Sequence, residues 1–295
     1  MTVLTDISDA LAGAVAKAGA GVARVEARQR FPASGIVWSA DGVIVTAHHV
    51  VEQDENITVG VGEEGVAAKL VGRDPATDIA VLRAEATGLT PITWADPTSL
   101  KVGHITLALG RPGKSVRATM GIASAVGGPW QGPGGGRFER YLQADVAMHP
   151  GFSGGPLIDA TGAAHGMNTS ALIRAATPTV PSGDIKRIVD ALLVHGRVRR
   201  GYLGVTPQPV RLPEGLAQEF GQETGLLVTF VEIGGPADKA GLMLGDVIVG
   251  FDAAPIRHLD DLFAALSDTA ERQATLRTLR GGQLRELTVS IGERG

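Results

Sequence analysis

Residues 145–157 read Asp-Val-Ala-Met-His-Pro-Gly-Phe-Ser-Gly-Gly-Pro-Leu, and this stretch carries the strongest signal in the chain. Ser153 stands among glycines. That setting suits a nucleophile, because the backbone can turn sharply, expose Oγ and aim N–H groups at a developing oxyanion. The nucleophile elbow of α/β-hydrolases has a similar pattern, but there a helix follows the serine at once. Here residues 156–158 are typical of a strand and residues 159–162 of a hairpin turn. The context therefore favours a β fold. For this segment alone, the alternative to a catalytic serine is a plain glycine-rich turn.

Outward from this stretch, the region from about residue 20 to residue 180 consists of short apolar runs broken by Gly, Pro and Asp. The clearest runs cover residues 35–38, 43–46, 57–59, 78–82 and 105–109. Many short strands separated by turn signals predict an antiparallel barrel or sandwich.

Composition narrows the class of protein. The chain has 295 residues, which suggests about two domains. It is 44% hydrophobic and has a net charge of −4, a balance that gives no sign of nucleic-acid or anionic-membrane binding. It has no cysteine, which excludes disulfides, thiolate zinc sites and a cysteine nucleophile. The seven histidines show no metal-ligand spacing, so we expect no metal and no cofactor.

A helix and a basic stretch predict the domain boundary. The helix would begin at a Ser182 cap, carry an apolar stripe of period 3.6 and end at Gly196. The basic residues 197–200 then form a solvated linker. A second β-rich unit follows, with one amphipathic helix over residues 259–266. We therefore expect domains at 1–196 and 201–295.

Membrane and targeting segments are not expected in this chain. Its most apolar stretch, residues 10–25, is interrupted by Lys17 and Arg24 and is too short to cross a bilayer. Asp6 and Asp9 stand where a signal peptide carries positive charge. The sequence is compatible with a cytosolic protein or with one already stripped of its targeting segment.

A serine nucleophile needs a base, and the base needs an orienting group. His48 and His49 lie at the end of an apolar strand, and Asp78 opens another strand further along the chain. The order His, Asp, Ser is that of chymotrypsin.

Three ordered motifs now resemble those of the HtrA/Deg family of trypsin-like serine proteases. Residues 46–51, Thr-Ala-His-His-Val-Val, match the family's Thr-Asn-x-His-Val-Val. Residues 77–82 match its Thr-Asp-x-Ala-Val-Leu, and residues 149–157 match its Asn-Pro-Gly-Asn-Ser-Gly-Gly-Pro-Leu. The junction over residues 186–205 is also typical. The resemblance covers nearly the whole chain and implies a chymotrypsin-like double β-barrel followed by a β-rich PDZ domain.

Carried over position by position, the resemblance implies a catalytic triad. Ser153 is the nucleophile, His49 the general base and Asp78 the orienting carboxylate. His48 occupies the variable position of the family's motif, so His49 ranks above it.

The resemblance also implies the oxyanion hole, formed by the N–H groups of Gly151 and Ser153. Phe152 and His149 depart from the family, which has Asn at both positions. The stretch 168–181 is shorter than usual and lacks the family's Gly-Phe-Ala-Ile-Pro, so part of the specificity pocket should differ.

In the trypsin-like fold, the residue six positions before the nucleophile lies at the base of the P1 pocket. Here that residue is Ala147, flanked by Val146 and Met148. It offers no charge to a Lys or Arg side chain, so aliphatic P1 residues are expected. Asp145 is the nearest carboxylate in sequence.

The second unit resembles the PDZ domains attached to these proteases, notably over residues 234–242 and 245–249. Tyr202, Leu203, Gly204 and Val205 match the carboxylate-binding loop, which holds a chain terminus while an edge strand pairs with the peptide. The helix over residues 259–266 would form a wall of the groove. The alternative is a packing domain with an unused groove.

The resemblance implies an ATP-independent serine endopeptidase that cleaves unfolded or misfolded protein without a cofactor. It also implies a homotrimer, an extracytoplasmic location and peptide C-termini as partners of the PDZ groove. The alternative function is a catalytically idle, PDZ-based peptide-binding or chaperone-like protein.

Overall fold

The chain divides into two units, Met1–Val198 and Arg199–Gly295, and each is described by itself. The computed structural model describes residues 2–29, 31–62, 64–133, 135–173, 177–266, 269 and 271–294. Both units are built mainly of antiparallel strands, as the sequence predicts.

The first unit contains two helices and fourteen strands among the described residues. They are α1 (Val3–Gly19), β1 (Val22–Glu26), β2 (Ala33–Val37), β3 (Val43–Ala47), β4 (Ile57–Gly60), β5 (Gly65–Asp74), β6 (Ile79–Ala84), β7 (Ile105–Gly110), β8 (Arg117–Gly127), β9 (Trp130–Gln131), β10 (Arg137–Phe138), β11 (Tyr141–Ala144), β12 (Pro156–Asp159), β13 (Ala164–Asn168), β14 (Thr179–Pro181) and α2 (Ser182–His195). A single 3-10 turn, His48–Val50, follows β3.

Six of these strands form a closed barrel in the order β1-β2-β3-β6-β5-β4. Every residue of β2 and β3 is buried, which agrees with their Val, Ile and Ala content. Because β3 pairs with β6 from Val43 to Ala47, the residues just after β3 lie beside the residues just before β6. The register therefore brings His49 and Asp78 to the same end of the barrel.

A second six-stranded sheet runs in the order β11-β8-β7-β12-β13-β14. A bridge between Gln143 and Pro178 joins its two edges, so the sheet curls into a second barrel. Its core includes Phe152, Leu157 and Ala108. The double-barrel architecture expected from the sequence is confirmed.

Helix α2 follows the sequence prediction except at its start. The apolar stripe is buried at Ile185 and Leu192, and Gly196 ends the helix with a φ of 69°. Ser182 is not the cap, however. It is the first helical residue, and Pro181 takes the capping position without a side-chain hydrogen bond, because β14 runs directly into the helix.

Helix α1 is not foreseen by the strand-based interpretation of the sequence. Thr2 caps it, since its side chain accepts a hydrogen bond from the Thr5 N–H, and Ala14 and Ala18 are buried against the first core. Its Ala-rich sequence has high helix propensity. Apolar residues at positions 7, 11, 14, 15 and 18 provide the periodic signal.

The second unit has a five-strand path in the order β16-β17-β18-β20-β21, and β15 pairs with β22. Its elements are β15 (Arg200–Tyr202), β16 (Val205–Arg211), α3 (Glu214–Phe220), β17 (Thr224–Val231), α4 (Pro236–Lys239), β18 (Val247–Phe251), β19 (Ala254–Pro255), α5 (Leu259–Leu266), β20 (Gln273–Arg280), β21 (Gln283–Ser290) and β22 (Gly292–Arg294). Helix α5 has the predicted bounds, and its Leu262 and Leu266 enter the core of this unit.

The basic stretch between the units is not wholly solvated. Arg199 forms ion pairs with Glu271 and Glu293 of the second unit, and Arg200 belongs to β15. Within the described part of the chain, no helix combines the length and the apolar character needed to cross a membrane.

Candidate active site

His49 and Asp78 form a hydrogen-bonded pair at the end of the first barrel. The ring Nδ1 of His49 lies 2.8 Å from Oδ2 of Asp78, and the His49 backbone N–H donates to Oδ1 at 2.9 Å. Asp78 is only 2% exposed. Because an ionised carboxylate only accepts hydrogen bonds, the proton of the ring lies on Nδ1, and Nε2 is left as the basic nitrogen.

His48 has a different environment. Its Nδ1 is buried and has no hydrogen-bond partner among the described residues. Burial, together with the nearby charge of Arg73, lowers the pKa of the His48 imidazole. Of the two histidines, His49 is the one that contacts a carboxylate.

Thr169 and Ser170, neither of them singled out from the sequence, each contact a member of the predicted triad. The Thr169 hydroxyl is fully buried and donates to Oδ2 of Asp78. The next residue, Ser170, places its Oγ 3.1 Å from Oγ of Ser153. No hydrogen bond joins the side chains of Ser153 and His49, both of which are described.

The turn that carries Ser153 lies against the end of β3. The Ser34 N–H donates to the Ser153 carbonyl at 3.2 Å. A Cβ on Gly154 would lie only 2.5 Å from the Thr46 hydroxyl and 3.1 Å from the Ala47 nitrogen, so glycine is required for this approach. Since His49 follows Ala47 by two residues, the fold brings together the three motifs that the sequence predicts to act together.

Two N–H groups beside the serine hydroxyl are free. Within the described part of the chain, neither the Gly151 nor the Ser153 N–H has a protein acceptor. The N–H of Ser153 shares a peptide unit with the Phe152 carbonyl, which accepts from the Gly155 N–H at 2.9 Å and so fixes the plane of that unit. Free, oriented N–H groups of this kind can stabilise an oxyanion.

Phe152, which departs from the family's Asn, is packed into the second barrel. It is 1% exposed, and its ring meets that of His149 edge-on with centroids 5.6 Å apart. Gly110 leaves room for it, because a Cβ there would lie 2.8 Å from the Phe152 ring. The aromatic side chain therefore anchors the serine turn in an apolar core.

Ser34 holds the other side of the same turn. Its hydroxyl donates to the Gly151 carbonyl at 2.6 Å and accepts from the Arg111 N–H at 2.7 Å. Arg111 is itself 9% exposed, and its guanidinium donates to the carbonyls of Gly19 at the end of α1 and Val61. The serine turn is thus tied to both barrels and to α1.

The predicted pocket residues lie between β11 and the serine turn. Ala147 is exposed, and its carbonyl accepts from the Thr119 hydroxyl at 2.8 Å. Val146 is buried and Met148 is half-buried. Oδ1 of Asp145 accepts from the Ile122 N–H at 2.5 Å. Residues 174–176 of the shortened stretch 168–181 lie outside the described residues.

In the second unit, the predicted carboxylate loop precedes the edge strand β16. Among the described residues, the N–H groups of Leu203 and Gly204 have no acceptor. Tyr202 donates its hydroxyl to the carboxylate of Glu232, which lies beside Gly204. The apolar Leu203 side chain is packed in one core with Leu262 and Leu266 of α5.

No group of three or more His, Cys, Asp or Glu side chains with the geometry of a metal site occurs in the described part of the chain. The chemistry available at the described site is that of a hydroxyl, an imidazole, a carboxylate and backbone N–H groups.

Comparisons with known proteins agree on both units. A model described as a trypsin-like peptidase domain matches residues 33–167, and one described as a PDZ domain matches residues 201–291. A curated protein of Chlamydia muridarum (strain MoPn / Nigg), named "Probable periplasmic serine endoprotease DegP-like", is 34% identical over 283 residues. The match covers 91% of this chain and 55% of that protein, so the chain spans about half the length of the curated relatives it matches.

Solved structures match over nearly the full length. The structure titled "HtrA-type protease AlgW with tripeptide" is 31% identical with a TM-score of 0.75, and the match covers 97% of each chain. The serine endoprotease from Yersinia pestis is 28% identical with a TM-score of 0.77, over 97% of this chain and 98% of that one.

Proposed function

Because this chain belongs to the HtrA-type family of trypsin-like serine proteases, we propose that it is an ATP-independent serine endopeptidase that cleaves unfolded or misfolded protein. The observation that carries the proposal is the serine turn. Among the described residues, the N–H groups of Gly151 and Ser153 have no acceptor, and the turn packs against the strand that leads into the His49–Asp78 pair.

The proposed mechanism uses an acyl-enzyme. His49 Nε2 takes the proton of Ser153 as Oγ attacks the substrate carbonyl, and Asp78 stabilises the imidazolium that forms. The Gly151 and Ser153 N–H groups stabilise the oxyanion. His49 then gives its proton to the leaving amine, and water hydrolyses the ester by the same steps. Before attack, the Ser153 hydroxyl must leave Ser170 and turn to His49.

A fluorophosphonate probe tests this proposal, since it labels only activated serines. We expect labelling of the wild-type chain and cleavage of casein in a buffer free of nucleotide. Ser153→Ala should lose both activities while retaining its fold by circular dichroism. Labelling at another residue, or casein cleavage by Ser153→Ala, would contradict the assignment.

The second candidate is a catalytically idle peptide-binding protein. The bond between Ser153 and Ser170 favours it, because a hydroxyl held there is not held by the base. Absence of both labelling and cleavage, with peptide binding retained, would establish this alternative.

For the second unit, we propose binding of free peptide C-termini at residues 202–205. The support is the N–H groups of Leu203 and Gly204, which have no acceptor in the part of the chain that the structure describes and can donate to a terminal carboxylate. Glu232 opposes this binding by like-charge repulsion, so Glu232→Gln should tighten it. Isothermal titration with acid and amide forms of one apolar-ended peptide is the test, and equal affinities would remove the proposal.

Assembly, compartment and domain limits are also proposals. A homotrimer is proposed from the family and would have about three times the 30.4 kDa chain mass in sedimentation. An extracytoplasmic location is supported by the "periplasmic" name of the relative and is tested by cell fractionation. Domains at 1–196 and 201–295 joined by residues 197–200 are tested by limited proteolysis.

A further inference from the structure

The edge strand β16 of the second unit carries two prolines on its open side. β16 is the outermost strand of its sheet and pairs with β17 from Val205 to Arg211. The register shifts between Thr206 and Pro207, where the extra residue, Thr229, belongs to β17, so the alternation along β16 continues. Pro207 and Pro209 lie two residues apart within it. A proline has no N–H, so each removes one possible hydrogen-bond donor from the strand.

The contacts of the preceding residue establish which way these prolines face. The Thr206 carbonyl accepts from the Thr229 hydroxyl of β17 at 2.9 Å, so position 206 faces β17. In an antiparallel pair, successive residues direct their backbone polar groups alternately toward the neighbour and away from it. Positions 205, 207 and 209 therefore face the open side, which is also where an edge strand tolerates proline.

An incoming peptide strand would find an incomplete partner at this edge. A peptide added to an edge strand gains affinity from main-chain hydrogen bonds in both directions. Here the N–H groups of Leu203 and Gly204, which have no acceptor within the described ranges, can hold the terminal carboxylate. Beyond them the edge presents carbonyl groups, but no donor at Pro207 or Pro209. Each missing bond is worth about a two- to tenfold change in affinity.

We propose that this groove recognises only the extreme C-terminus of a flexible polypeptide, without extending it as a strand along β16. This rests on the proposed function of the loop at residues 202–205. Recognition of the peptide main chain ends at Pro207, three positions after Gly204, because the open edge has no backbone N–H donor there. The partner class is a loose chain terminus, selected by its carboxylate and last side chains and not by a long extended motif.

The test is titration of the full chain with acetylated peptides of three, six and ten residues that share one C-terminal sequence. We expect the three affinities for the wild-type chain to agree within about twofold. A Pro207→Val, Pro209→Val double variant regains both donors and should bind the ten-residue peptide about tenfold tighter. The matched control is Pro213→Val, the same change at the start of α3, which should bind as the wild type does.

Two results would overturn the inference. One is wild-type affinity that rises more than about fivefold from three to ten residues. The other is a folded double variant that binds the ten-residue peptide no more tightly than the wild type. If the double variant does not fold, the wild-type series alone decides. Failure of the proposed function looks different: acid and amide peptides would bind equally, or none would bind.

Discussion

Asp78 adopts a left-handed backbone conformation, with a φ of 58°. Asn tolerates this conformation better than other non-glycine residues, so Asp78→Asn removes the charge without adding backbone strain. We expect this variant to fold normally and to lose on the order of 10⁴-fold in turnover, because an amide stabilises the wrong His49 tautomer. Asp78→Ala should be inactive and also unfold at a lower temperature.

Peptidase rates and thermal unfolding midpoints of the Asp78→Asn and Asp78→Ala variants test these expectations. Turnover of Asp78→Asn within tenfold of the wild type would show that His49 is oriented by another group. Equal midpoints for the Asn and Ala variants would show that the left-handed conformation carries no strain.

Ala147 predicts the cleavage preference. It brings no charge to the proposed P1 pocket, and Oδ1 of the neighbouring Asp145 is already bound to Ile122. A buried Lys or Arg would lack a partner, so cleavage should follow Val, Ile, Ala or Leu. Mass-spectrometric mapping of cuts in an unfolded protein is the measurement, and most cuts after Lys or Arg would contradict it. Ala147→Asp should shift cuts toward basic residues.

At the scale of single residues, the sequence indicates candidate site residues but not the contacts that they make. Motif and order predict His49, Asp78 and Ser153 as the triad, and the fold gathers their motifs at one place. Thr169 and Ser34 escape prediction, because their bonds to Asp78 and Gly151 join positions 91 and 117 residues apart. Such pairs depend on how two barrels meet, which local patterns do not encode.

The serine turn is an element braced from both barrels, and Ser34 is its most connected support. Ser34→Ala removes the hydroxyl that bonds the Gly151 carbonyl and leaves the His49–Asp78 pair intact. We expect kcat and the rate of fluorophosphonate labelling to fall by about tenfold to a hundredfold, with KM nearly unchanged, because the loosened turn misplaces the oxyanion donors.

A matched control separates positioning from stability. Ile188→Val in α2 also disturbs a fully buried site of the first unit, but Ile188 belongs to a different hydrophobic cluster from Phe152 of the turn. It should lower the thermal midpoint without lowering kcat. A Ser34→Ala variant with wild-type labelling would show that Phe152 alone fixes the turn.

Among the elements, strands are predicted well and helix starts less well. Short apolar runs between turn residues identify β2, β3 and β6, because burial on both faces leaves few polar positions. Helix α1 is missed, because two of the five residues in its apolar stripe, Ala14 and Ala18, are small and make the helical period hard to distinguish. The Ser182 cap is wrong because β14 enters α2 without a turn.

The two units have separate hydrophobic cores. One buried ion pair, that of Asp246, lies entirely within the second unit. Asp246 is 1% exposed. Burial acts to raise its pKa, but hydrogen bonds from Arg280 and the Met243 N–H outweigh burial and lower the pKa below its ordinary value. A lowered folded-state pKa adds stability above the unfolded pKa of about 4, and this stability is lost as the pH falls through the folded pKa.

Asp246→Asn should therefore destabilise the second unit at pH 7 and weaken its pH dependence below about pH 4. All three tryptophans, at positions 38, 94 and 130, lie in the first unit, so their fluorescence should show an unchanged transition. Hydrogen exchange in β18 and β20 should rise. Asp252→Asn, at the more exposed pair with Arg272, is the control and should have a smaller effect. A shifted tryptophan transition would mean that the units unfold together.

The prolines of β16 also affect whether whole molecules associate with one another at high protein concentration. An exposed strand edge is a template for aggregation, because the edges of two copies can pair with each other. An edge without donors at Pro207 and Pro209 pairs poorly with its own copy, so it stays open without promoting association. Restoring both backbone N–H donors should therefore promote self-association. Light scattering should show the Pro207→Val, Pro209→Val double variant associating at concentrations where the wild-type chain keeps a constant particle size.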